Sequence, residues 1–169
     1  GLASPVAQAC GAKDYRKMRS YVANALRIGL ALAIVITFLS CMLCSKVLGL
    51  VNTPADIHHE AYVFLFMQFL AIPFTIGYNL LAGFIRALGD SKHPFYFLIF
   101  SSLVNILFDV ILILGMGLGV FGAGLATLLS QLFSCVLCGW YILKKMQILI
   151  PKGEEREFDN KRMSILLNN

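Results

Sequence analysis

Hydrophobic residues fall into four long runs, at 26–50, 61–84, 95–116 and 120–143, separated by short polar or basic stretches. A helix needs about 20 apolar residues to cross a hydrocarbon core roughly 30 Å thick, so each run is long enough for one crossing. Lipid offers no hydrogen bonds to the backbone, which makes the helix the expected form of each run. Residues 1–12 (GLASPVAQACGA) are weakly apolar and read as the last turns of an earlier helix. Pro73 lies inside the second run, where it removes a backbone hydrogen bond and is expected to kink the helix. Thr53 or Asp56 is the expected cap of the second helix, and Asp90 or Ser91 of the third, with Pro94 near its first turn. The pattern predicts an all-α, polytopic helical membrane protein.

Composition agrees. The chain has 169 residues, 59% hydrophobic and 14% charged, against about 45–50% and about 25% in soluble domains. The formal net charge of +5 would suit nucleic acid, but its placement does not. Thirteen of the fourteen Lys and Arg residues lie at 13–27, 85–94 and 144–169, between or after the apolar runs, and the last is Lys46. By the positive-inside rule these three stretches face the cytoplasm, and four crossings begin and end there. The expected location is a cell membrane, a bacterial inner membrane, with the bilayer and not nucleic acid as partner. The densely charged GEEREFDNKR reads as a solvated cytoplasmic linker, and the closing MSILLNN turns apolar again and is expected to approach an element outside this chain. The first residue is Gly1 and no signal-peptide pattern opens the chain, so the expectation is a segment of a longer protein.

Several local patterns have plain explanations. Cys41/Cys44 and Cys135/Cys138 each read CxxC, but inside apolar helices, where ionisation to thiolate is opposed; they are expected to be small packing residues. Gly115, Gly117, Gly119, Gly122 and Gly124 crowd one bend, and three of them fit GxGxxG. No βαβ context surrounds them and no acidic residue follows about 20 positions on, so tight turning and close helix approach are expected instead. His58 and His59 are adjacent and do not share a helix face, which disfavours a metal site. Arg86 and Asp90 are positioned to pair across a connection. No nucleophile–base set appears in the runs, so no enzyme activity, cofactor or metal is expected.

Asp109 is different. It is the only charged residue in the 49-residue stretch 95–143. A carboxylate at mid-membrane costs about 2.5–3.5 kcal/mol on insertion scales, and such groups mark ion or proton pathways. Asn105 lies one helical turn earlier on the same face. A carboxylate with an amide oxygen and a hydroxyl forms a hard oxygen site for H⁺ or Na⁺; the alternative is a static polar clamp between helices. Thr127, in the fourth run, lies at similar depth across the turn, with back-bonding to its own helix as the other reading. Gln68, Tyr78 and Asn79 in the second run are candidate cavity-lining residues.

Four segments, VAQACGAKDYRKMR at 6–19, FIRALGDSKHPFYF at 84–97, NILFD at 105–109 and GVFGAGLATLLSQ at 119–131, together resemble the multidrug and toxic compound extrusion (MATE) transporters. The resemblance implies twelve helices in two six-helix lobes. Residues 1–143 would form a partial N-terminal lobe and 144–169 a cytoplasmic linker toward a second lobe absent from this chain. It implies an antiporter exporting drugs or other amphipathic organic compounds against H⁺ or Na⁺. In the DinF-like branch an Asn and an Asp on helix five and a Thr on helix six bind the ion, which falls on Asn105, Asp109 and Thr127. A further Asp on helix one completes that site, outside this chain. His93 stands where the family usually has Thr, with no mechanistic effect expected. The other readings are a lipid-intermediate flippase of the same superfamily and a membrane scaffold without flux.

Overall fold

The computed structural model describes residues 3–150 and 160–168. Among them the chain is helical throughout: α1 (Ser4–Gly11), α2 (Tyr15–Leu50), α3 (His58–Leu70), α4 (Ile72–Ala87), α5 (Lys92–Asp109), a wide π turn (Val110–Gly115), α6 (Gly119–Lys145), a short turn (Gln147–Leu149) and α7 (Asn160–Leu167). Taking α3 with α4 and α5 with its π turn, four helices are long and apolar enough to cross a membrane. The four apolar runs therefore appear as helices, with changed ends.

The largest change is in α2. It starts at Tyr15, so the basic stretch expected to be a connection is mostly helix. At about 1.5 Å per residue, its 36 residues reach about 54 Å, well beyond the hydrocarbon. The second run breaks at Ala71, where Pro73 occupies the first turn of α4. That position needs no backbone N–H, so the proline ends one helix and starts the next. Neither Thr53 nor Asp56 caps α3: Ile57 holds the N-cap position without a side-chain bond. The preceding residues are used by the left-handed Asn52 and by a turn closed from the Ile57 N–H to the Pro54 carbonyl, which leaves both side chains too early. Of GEEREFDNKR at 153–162, read as linker, residues 153–159 lie outside the described residues, and the last three open α7 rather than a coil. Beyond them, the apolar tail meets an element of the chain itself. α7 packs on α2, Leu166 is buried, and the Arg162 guanidinium sits 6.0 Å from the Tyr21 ring centroid.

Two corners at the basic end are built alike. After α1, the Lys13 and Asp14 N–H groups return to the carbonyls of Cys10 and Ala9; after α4, those of Gly89 and Asp90 return to Arg86 and Ile85. This double closure needs a left-handed residue, supplied by Lys13 (φ 57°) and Gly89 (φ 91°). In both corners the next residue is an aspartate that opens the following helix. Asp14 accepts from the Lys17 N–H at 3.2 Å, and Asp90 accepts from the N–H groups of Lys92 and His93, each at 3.1 Å.

The packing is inverted relative to a water-soluble bundle. On α6, Gly122, Ala126, Ser130, Ser134, Cys138 and Ile142 are buried at every fourth position, while Val136, Trp140 and Leu143 are exposed. On α2, Leu30, Ile34 and Phe38 are likewise exposed. Lipid tails are as apolar as leucine, so bulky residues lose nothing by facing out, and small residues let the helices approach. α6 is central, packed on α3, α4 and α5, while α2 packs on α1, α3, α4 and α7. The main apolar core joins Met18, Tyr21, Phe84, Ile85, Ile142 and Leu149 at the basic end. All five thiols are free, and buried Cys44 and Cys138 act as small packing residues.

Candidate functional site: a polar seam between two membrane helices

α5 and α6 run antiparallel around the glycine bend, with Gly117 (φ 67°) and Gly119 (φ 58°) in the left-handed region. Side chains spaced by three or four on each helix therefore face one another along a seam. The Asn105 amide Nδ2 donates to Ser130 Oγ across it at 3.1 Å. The Ser101 hydroxyl donates to the Ser130 carbonyl at 2.8 Å. Within α6, Ser130 Oγ donates to the Thr127 carbonyl at 3.0 Å, and Ser134 Oγ to the Ser130 carbonyl at 3.1 Å. A groove of about 350 Å³ opens beside this network, with Asn105, Thr127, Ser130 and Gln131 in its wall.

Asn105 and Thr127 are thus brought together. The Thr127 hydroxyl donates to the Ala123 carbonyl at 3.2 Å, so its hydrogen is spent on its own helix and its oxygen lone pairs remain for the groove. Asp109 does not line that groove. It is half-buried one turn along α5, the last residue before the backbone widens into the π turn. Such turns are found mostly as single insertions, often beside functional residues; here the Met116 N–H reaches the Ile111 carbonyl and the Leu118 N–H the Leu112 carbonyl. Sequence reasoning missed the π turn and the serines. The signal for the serines was present: Ser101/Asn105 and Ser130/Ser134 are each four apart on facing helices.

The other candidates scatter. Tyr78 is buried, its hydroxyl donating to the Pro94 carbonyl at 3.0 Å, which ties α4 to the start of α5. Gln68 is half-buried on α3, and Asn79 is exposed on α4.

At the basic end, Asp90 pairs with His93 and Tyr141 rather than with Arg86. Its Oδ2 lies 2.6 Å from His93 Nδ1 and accepts from the Tyr141 hydroxyl at 2.7 Å. The His93 ring stacks on Tyr141, with centroids 4.5 Å apart. His93 is therefore part of a clasp that holds the α4–α5 corner to α6, a structural role absent from the sequence expectation. Burial pushes the Asp90 carboxyl up, but hydrogen bonds from Tyr141 and His93 and the charge of His93 together outweigh it, leaving it below its ordinary value of 3.8. A carboxyl shifted down stabilises the fold above its ordinary pKa and loses that contribution as pH falls through the lowered one. Asp90→Ala is expected to cost about 1 kcal/mol at neutral pH through the lost cap. In thermal melts its deficit against the parent protein should shrink once the pH drops below 3.8.

Long apolar helices with bulky faces outward and a hydroxyl–amide seam inside define a multi-pass membrane protein. The chain belongs to the MatE family, whose family model matches residues 1–111. It is similar to the "Probable multidrug resistance protein YoeA" of Bacillus subtilis (strain 168), 32% identical over 144 residues, which cover 83% of this chain and 31% of that one. The chain thus spans about a third of the length of that curated relative. In fold it is similar to an inward-facing multidrug resistance MATE family transporter of the MOP superfamily, with TM-score 0.90 and 21% identity over 99% of this chain and 38% of the other. An outward-facing MATE family transporter gives TM-score 0.88 at 21% identity, over 99% of this chain and 37% of the other.

Proposed function

We propose that this segment is most of one lobe of a cation-coupled antiporter that exports drugs or other amphipathic organic compounds. The observation that carries the reading is a lone carboxylate, Asp109, one turn from an amide–hydroxyl seam inside a membrane helix pair. Nothing in stability explains keeping a charge there. Asp109 binds H⁺ or Na⁺ with Asn105 and Thr127 as polar partners, as in the DinF-like branch. Ion binding repacks α5 against α6 and loosens the substrate, and release resets the lobe. The similar match to inward- and outward-facing structures supports a lobe that rocks largely as a rigid unit against its mate, as in alternating access. The basic end faces the cytoplasm, and Gln68 and Asn79 are candidates for the wall nearest the substrate.

The test is flux. Full-length protein in proteoliposomes, given an imposed H⁺ or Na⁺ gradient, is expected to drive counterflow of a fluorescent organic cation. A protein that inserts and folds yet moves nothing under either gradient would be the scaffold, with Asn105 and Asp109 as a static clamp.

A further inference from the structure

We infer that Ser130 is the positioning residue that turns the Asn105 amide oxygen toward the coupling cation, an inference that rests on the ion-coupled reading above. Ser130 is only 4% exposed, and its hydroxyl has one hydrogen to give. That hydrogen goes to the Thr127 carbonyl. Toward Asn105 the same oxygen can therefore only accept, which it does from Nδ2 at 3.1 Å. An amide turned the other way would set two acceptors against each other. The planar amide then has its nitrogen held against α6 and its oxygen on the opposite branch, as an acceptor for a Na⁺ ion or a carboxylic O–H. Ser130 is itself fixed, because its carbonyl accepts from both Ser101 and Ser134. Facing the seam from its two helices are the amides of Asn105 and Gln131 and the hydroxyls of Thr127 and the serines. The direction of the Ser130 hydroxyl thus sets which end of Asn105 the ion meets.

The experiment measures export by the full-length transporter in proteoliposomes against Na⁺ at fixed pH and against pH at fixed Na⁺. Whichever cation drives export reports. Ser130→Ala frees the amide to turn, and is expected to raise the half-saturating cation concentration about five- to tenfold, the equivalent of one hydrogen bond, with the maximal rate within about twofold. Ser130→Thr keeps the hydroxyl and is expected to restore the parent value. If the alanine protein does not assemble, Ser130→Cys keeps the volume with a poor acceptor and should still weaken the cation response about threefold. An unchanged half-saturation in these variants, or a fall in maximal rate alone that threonine does not rescue, overturns the role of Ser130. Asp109→Asn separates the two ideas: coupling that survives it removes the ion site itself, while coupling lost there with Ser130→Ala unaffected removes only this inference.

Discussion

Asp109→Asn in the full-length transporter is expected to abolish gradient-driven export while leaving the protein as stable as before or more so. The substitution keeps the shape and deletes the charge. On insertion scales a carboxylate at mid-membrane costs about 2.5–3.5 kcal/mol, so a purely structural residue at this position would gain from losing it. Function and stability should move in opposite directions: export falls to the rate seen without a gradient, and the thermal midpoint in detergent holds or rises. The half-buried placement of Asp109 at the mouth of the π turn lets the amide fit without a clash. Export that still follows the ion gradient in this variant would take Asp109 out of the mechanism. A large fall in the thermal midpoint would instead mark it as a structural anchor.

The second large effect is steric. A Cβ on Gly124 would lie 2.9 Å from Met67 Cβ and 3.2 Å from Met67 Cγ. The nearest atom belongs to the root of the Met67 side chain, next to the α3 backbone, so no rotamer change relieves it and the two helices must part. Gly124→Ala is expected to cost about 1–3 kcal/mol, and Gly124→Val more. Gly29 is the control. Its added Cβ would approach Leu80 Cδ2 at 2.7 Å, a nominally closer contact, yet that methyl is the far end of a flexible side chain. Gly29→Ala should therefore be close to neutral. Thermal melts of the purified full-length protein distinguish the pair. Equal losses at both positions would mean that backbone proximity does not govern the α3–α6 contact.

How much of this was legible in the chain follows from which interactions are local. Hydrophobic run length depends on the bilayer and not on neighbours, so the four membrane helices could be read directly. The break at Pro73 was equally local. The start of α2 was not, because charge places a segment near the membrane surface without saying whether it is coiled or helical. Asp109 and Asn105 stood out because a single charge in 49 positions is a one-dimensional signal. Ser130 did not, since a lone serine is unremarkable in a membrane helix and only its spacing from Ser134, matched by Ser101 and Asn105 on the facing helix, marks it. The clasp of Asp90, His93 and Tyr141 joins positions 51 residues apart, a contact that spacing cannot reveal. His93, for which no mechanistic effect is expected, nonetheless stacks its ring on Tyr141 of α6.

The twin corners at the basic end have a mechanical meaning. In each, a single aspartate closes one helix with its N–H and caps the next with its carboxylate, so these junctions carry little slack. Among the described residues, the membrane spans depart from the α-helical ladder at the interruption at Ala71 and at the widened turn after Asp109. If this lobe deforms while it works, the strain collects along those two points, one of them directly beside the carboxylate.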